Sequence, residues 1–212
     1  MYTPKFNQVA DRSILLEAMR TYSFAILFGP QAAATDPGTE KPAPMVATHL
    51  PLVVKDEGPH GLIEGHFAVA NRHWQSLAGH ETLVIFPGPH SYVSPACYVE
   101  EQAVPTWNYI AVHAYGTLTL VEDHEGKDAL LAGLLNTHEP AVLDYWRSMP
   151  ENYRRSMLAG IVGFRIPIAR IEGKFKISQN RKPEERANVK AAHAAGTDDQ
   201  RALAKWMERL GG

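Results

Sequence analysis

Residues 104–123, VPTWNYIAVHAYGTLTLVED, alternate with a period of two. Ile110, Val112, Ala114, Leu118 and Leu120 make one side apolar, as a core-facing strand requires. The other side carries Trp107, Tyr109, Ala111, His113, Tyr115, Thr117 and Thr119, where a solvated face would carry lysine and glutamate. The segment reads as one long β-strand. Its second face needs cover from another part of the chain, a second subunit or a flat ligand.

The same patterning divides the rest of the chain. In ADRSILLEAMRTYS, Ile14, Leu15, Ala18, Met19 and Tyr22 fall near one helical face, with Asp11 as N-cap. SFAILF (23–28) is a short apolar strand, and GPQAAATDPGTEKPAP (29–44) is a mobile Gly/Pro/Ala-rich loop. MVATHLPLVV (45–54) and LIEGHFAV (62–69) flank the turn KDEGPHG as an antiparallel hairpin. ANRHWQSLAG opens a short helix with Asn71 as N-cap and Gly79 as stop. TLVIFPG and SYVSPACYV are two further strands, and VGFRIPIARIEGKFKIS returns to strand after a helical stretch broken at Pro140 and Pro150. GTDDQRALAKWMERLGG is a capped amphipathic helix. About seven strands without a βαβ rhythm predict a closed or half-closed antiparallel barrel, mainly β with α, with a helical insertion around 124–160.

Composition narrows the function classes. The 212 residues carry a formal charge of −2, which gives no field for avid nonspecific nucleic-acid binding. The single cysteine, Cys97, excludes an intramolecular disulfide and fits a reducing cytoplasm. The start, MYTPKFNQVADR, has no apolar leader, and no run of about 18 apolar residues marks a membrane span. Ten histidines raise a metal site, but H-x-H, H-E-x-x-H and a cysteine partner are missing, so His49, His66 and His113 read as hydrogen-bonded structural or ligand-facing groups. G-x-S-x-G is absent, which removes the usual nucleophile elbow. YRRSMLAG is too slender a basic helix for a DNA-reading element.

Anion binding has a better case. GHFAVANRHW runs from strand into helix, and His66, Asn71 and Arg72 add donors to the helix start; the plain alternative is a strand–turn–helix with Trp74 in the core. In IEGKFKISQNR, Lys174, Lys176 and Ser178 share one strand face, followed by Gln179, Asn180 and Arg181.

MYTPKF, ATHLP, GHFAVANRHW, FPGPHSYVSP, AVPTWNYIAVHAYG, IVGFRIPI and EGKFKISQNR stand in one order, and together they closely resemble the PaiB-type negative transcriptional regulators. The resemblance covers about residues 1–190, leaving 191–212 as a C-terminal helical tail. It implies an FMN-binding split β-barrel that forms a cytoplasmic homodimer with flavin in clefts between subunits. By position, Thr48, His49 and Leu50 would lie beside the flavin. His66, Ala68, Asn71 and Arg72 would face its phosphate, and Trp107, Asn108, Lys174 and Gln179 would close the pocket. Two departures stand out: Val69 where the family often has a cation, with Arg72 where it has proline, and Cys97 where it often has tryptophan. A cation lost near a phosphate costs on the order of 1.5–3 kcal/mol, a factor of ten or more in affinity. The alternatives are a flavin-dependent oxidoreductase of the pyridoxamine phosphate oxidase or flavin reductase type, and a haem-binding or haem-degrading split barrel. Direct DNA binding is not implied by any motif.

Overall fold

The computed structural model describes residues 1–30, 44–100 and 102–210, so most of the loop expected at 29–44 lies outside the described residues. The chain forms two compact units: Met1–Leu15, Pro87–Val112 and Glu172–Gly212 make one; Leu16–Phe86 and His113–Ile171 make the other.

In the larger unit, β2 (Phe24–Pro30) pairs antiparallel with β3 (Met45–Pro51), setting Leu27 opposite Thr48 and Ile26 opposite His49. The first half of β6 (Glu81–Val93) lies on β2's other side, with Ile26 opposite Ile85. A second antiparallel sheet runs β4 (Val53–Lys55), β5 (Leu62–Ala68), β9 (Ile161–Pro167), β8 (Thr119–Val121). Phe67 and Phe164 are fully buried, their ring centroids 5.0 Å apart. The insertion is three helices, α3 (His124–His138), α4 (Pro140–Ser148) and α5 (Glu151–Ala159), divided at the two prolines that the sequence marks. Asp123 caps α3 by accepting from Gly126 N at 2.7 Å.

The stretch 45–54 is two strands rather than one. At Leu52 the chain leaves β3's sheet for β5's, with Leu52 N–H bonded to Ser23 O at 3.0 Å and its side chain buried. The stretch 104–123 also divides, into β7 (Thr106–Thr117) and β8. Between them Leu118 is buried, and its carbonyl accepts from Gly79 N at 2.8 Å. Gly116, just before that break, approaches β9 so closely that a Cβ would stand 2.2 Å from Pro167 O.

In the smaller unit, β1 (Gln8–Val9) pairs with β10 (Arg170–Lys176), Gln8 opposite Lys174. The expected strands 82–88 and 91–99 are one, β6, followed by a 3-10 turn at Pro95–Cys97. Gly88 lets it run on without a break: a Cβ there would meet Ile110 at 2.9 Å. Two helices follow β10, α6 (Pro183–Ala194) and α7 (Asp198–Leu210). Trp206 of α7 meets Phe175 edge-on at 5.1 Å. α6 is unforeseen in the sequence because its inward positions, Glu185, Val189 and His193, are mostly polar and give no apolar stripe. Between the units' segments in the chain, α1 (Arg12–Thr21) begins with the Asp11 cap in place, Oδ1 accepting from Ser13 N at 2.8 Å.

Candidate functional site

The larger unit gathers Thr48, Asn71 and His73 around a buried polar contact. Thr48 is on β3's inward face; Asn71 and His73 come from the turn after β5 and the start of α2 (His73–Leu77). Asn71 Nδ2 donates to Thr48 Oγ1 at 3.3 Å, and Thr48 Oγ1 lies 2.9 Å from His73 Nδ1. Asn71 Oδ1 in turn accepts from His73 N–H at 3.2 Å. The helix therefore begins at His73 with Arg72 in the N-cap position, and the expected Asn71 cap is realised as a side-chain turn two residues long. Gly79 has φ +76 just past the helix, as its role of stop requires.

His73 Nε2 is buried without a hydrogen-bond partner among the described residues. A Cβ added at Gly29 would stand 3.7 Å from it, so the Gly29 backbone flanks this edge of the ring. Burial holds the ring's pKa below the ordinary histidine value, although the Gly29 backbone opposes the shift. His73 is the functional candidate that sequence reasoning did not single out. Its signal was its place two residues after Asn71, the spacing of an Asn-headed turn.

The other candidates of this unit divide by strand alternation. Leu50 shares Thr48's face and is half-buried, whereas His49 projects from the opposite face beside the Phe24 ring at 6.1 Å. Phe67 points inward to His73, with centroids 6.4 Å apart, so His66 and Ala68 belong to the outer face of β5. That is the face on which α3 rests, since His66 pairs with Gly163 and Leu130 packs against Gly163. Desolvation lowers the pKa of His66 there. Val69 and Arg72 are exposed, and the Trp74 indole donates to Val69 O at 3.3 Å. Trp74 is only half-buried, so it does not serve as a core anchor.

The smaller unit holds Trp107, Asn108, Lys174 and Gln179. Trp107 is 53% exposed and stands beside His90 and Tyr92, with centroids 6.1 Å and 6.2 Å away. Its carbonyl accepts from Lys176 Nζ at 2.6 Å, and Lys176 also donates to Thr106 Oγ1. Burial, then the charges of Lys174 and Arg181, lowers the Lys176 pKa. Lys174 is buried with Nζ on Tyr2 O at 3.0 Å and 5.2 Å from the Tyr109 ring centroid. Asn108 is wholly buried: Nδ2 donates to Ser178 Oγ at 3.0 Å and approaches His193 Nε2 at 3.5 Å. Ser178 holds this contact with φ +65. Gln179 turns back on its own strand, donating to Phe175 O and accepting from Ile177 N. Trp107 is thus the accessible member of this group, while Asn108 and Gln179 are engaged in holding the SQNR turn.

A flavin nucleotide needs apolar or aromatic walls for its ring and donors for its phosphate. In the smaller unit exposed Trp107 offers the first chemistry, and in the larger unit exposed Arg72 beside the ordered 69–73 turn offers the second, so each unit by itself holds residues of a type the group requires. α2 is five residues long, too short for its dipole to carry the phosphate, so Arg72 and side-chain donors are the relevant charge. Among the described residues no group of three or more His, Cys, Asp or Glu is arranged to hold a metal, and no helix is long and apolar enough to cross a membrane.

Residues 1–170 match a domain family described as "Putative FMN-binding domain". Over 194 residues the chain is 37% identical to the Protease synthase and sporulation protein PAI 2 of Bacillus subtilis (strain 168), covering 89% of this chain and 87% of that protein. Among solved structures it is similar to the FAD and Heme binding protein from Mycobacterium smegmatis, with a TM-score of 0.59 at 16% identity over 90% of this chain and 81% of that one. The Flavocytochrome Anf3 from Azotobacter vinelandii gives a TM-score of 0.59 at 14% identity over 88% of this chain and 78% of that one. At such identities the likeness is one of fold, and the fold is the α+β split barrel that the sequence predicts.

Proposed function

The chain belongs to the PaiB-type family of FMN-binding-domain proteins, and on that premise we propose that it is a cytoplasmic, homodimeric FMN-binding regulator. The observation that carries the proposal is the unmet cover of apolar surface within each unit. Phe24 is 61% and Met45 56% exposed on the outer face of β2 and β3, and Trp107 is 53% exposed on β7. A second subunit and a flat ring are the two covers that such surfaces fit.

In this reading Trp107 forms part of the ring's wall. Thr48 and His73 hold Asn71, and through it the 69–72 turn, so that Arg72 meets the phosphate. FMN, when bound, supplies hydride or single-electron chemistry. The protein's own residues bind, orient and shield it. Regulation acts through a ligand-dependent state of the dimer; with a net charge of −2, direct DNA contact is weak and strongly salt-dependent or does not occur.

The test is the absorbance spectrum of the purified full chain, before and after incubation with FMN, with light scattering on the same sample. Flavin bands that persist through gel filtration, on a particle of twice the chain mass, support the reading. A Soret band would favour the haem-binding alternative. A monomer that takes up no FMN overturns the proposal.

A further inference from the structure

One sheet face of the smaller unit sets cations beside aromatic rings. β7 lies between β10 and β6, and Trp107 and Tyr109 alternate along it with buried Asn108 and Ile110. Lys174 Nζ is 5.2 Å from the Tyr109 ring centroid, so Lys174 and Lys176 of β10 share that outward face. Phe175 between them is buried on the other face against Trp206. From the β6 side His90 and Tyr92 flank Trp107. The exposed Trp107 indole therefore has aromatic neighbours on one side and the strand of two ammonium groups on the other.

The charge on this face is not balanced. Lys176 Nζ donates to Trp107 O at 2.6 Å and to Thr106 Oγ1, and Lys174 Nζ to Tyr2 O at 3.0 Å. All three acceptors are neutral, and neither lysine has a carboxylate partner among the described residues. The carboxylates of the unit nearest to them are engaged elsewhere. Glu172 takes the Met1 amino group, and Glu185 accepts from Val99 N–H at 3.2 Å with Arg181 3.9 Å away. Asp199 stands 3.5 Å from His90 Nδ1, exposed to water that screens it. Burial lowers the Lys176 pKa, and the like charges of Lys174 and Arg181 lower it further. A negative charge brought to this face relieves that repulsion.

We infer that Lys176, backed by Lys174, makes the protein selective for the redox state of its flavin, holding reduced FMN more tightly than oxidised FMN. The inference rests on the FMN reading, in which Trp107 walls the ring. The phosphate is common to both states. Reduction adds two electrons and, at neutral pH, one proton, so the ring of reduced FMN carries a negative charge that the oxidised ring lacks. Uncompensated ammonium groups in a partly desolvated setting favour the more negative form. The protein transfers no electron in this scheme. Binding alone discriminates, and occupancy of the regulator follows the redox state of the free flavin.

The test is anaerobic titration of the full chain with FMN and with riboflavin, each in its oxidised and its dithionite-reduced state. Reduced FMN is expected to bind about tenfold more tightly than oxidised FMN. By linkage, the midpoint potential of bound FMN then stands about 30 mV above that of free FMN, read independently against a reference dye. Riboflavin should show the same preference, because the ring and not the phosphate responds. Lys176→Gln keeps a donor for Trp107 O without the charge and should bring the two affinities together; Lys176→Arg should keep them apart. If Lys176→Gln fails to fold, the wild-type ratio and the Lys176→Arg variant decide. Equal affinities for the two states, or tighter binding of oxidised FMN, would overturn the inference and leave the FMN reading standing. So would a preference seen with FMN but not riboflavin, which would set the lysines on the phosphate, or one indifferent to Lys176→Gln. No uptake of either state would overturn both.

Discussion

Thr48 Oγ1 stands 2.9 Å from His73 Nδ1 while accepting from Asn71 at 3.3 Å, so one hydroxyl joins a strand to the turn that follows a different strand. Thr48→Val keeps the shape and removes both bonds. Two polar groups then lose their partner, at about 1–3 kcal/mol in total, and the melting temperature should fall by about 2–4 °C for each kcal/mol. FMN affinity should fall with it, because the 69–72 turn loses its anchor. Calorimetric melting and FMN titration of the variant check both; an unchanged melt would mean that the hydroxyl is not part of a working network.

Acid should weaken the fold in a defined window. His66, His73 and His193 are all held below the ordinary histidine value, in each case chiefly by burial. The unfolded chain therefore binds more protons than the folded one as the pH drops past about 6.5. The stability tied to these neutral rings is full above that pH and is lost as the pH falls through the lowered folded values. Urea midpoints should decline from about pH 7 to about pH 5, and the decline should be shallower in His73→Gln. A midpoint constant over this range would contradict the burial-driven shifts.

The Val69 departure predicts a selective gain. Val69 is 44% exposed, so an arginine fits there without disturbing the core. Val69→Arg should tighten FMN about tenfold and leave riboflavin nearly unchanged, because only FMN carries the phosphate. Arg72→Ala should loosen FMN and spare riboflavin. Flavin fluorescence titrations with both ligands decide; equal affinities of all three proteins for FMN and riboflavin would place the phosphate elsewhere.

The dimer makes a prediction on β7. Tyr109 is half-buried beside the Lys174 ammonium, on the strand face that the sequence marks as lacking solvation. Tyr109→Lys sets a second cation there, and an unpaired charge in an interface is costly. Light scattering at micromolar concentration should show dissociation or loss of the fold, while a stable wild-type monomer would remove the premise.

What the sequence made legible follows from how far each signal reaches. The two-faced alternation of 104–117, the Asp11 cap and the helix breaks at Pro140 and Pro150 are local effects of side chain on backbone, and the structure has them where the sequence does. The divisions at Leu52 and Leu118 were hidden because a buried apolar residue keeps the alternation while the chain changes sheets. The Pro-Gly-Pro run at 87–89 looked like a break because the close approach of Ile110 to Gly88 is a tertiary fact. At the site, residue types were readable and directions were not. Nothing in GHFAVANRHW says which of His66 and Phe67 takes the inner face until β5 is paired with β9, nor that His73 is the ring that reaches Thr48.

Gly116 carries a consequence for the gene. A Cβ at this position would stand 2.2 Å from Pro167 O, a backbone atom that no rotamer can move aside. Every first- or second-base change in a glycine codon adds at least that carbon or ends the chain, so only third-base changes pass unnoticed. In a library of random point mutants selected for folded protein, codon 116 should therefore vary at its wobble base alone, whereas the codon for exposed Thr117 next to it should drift freely.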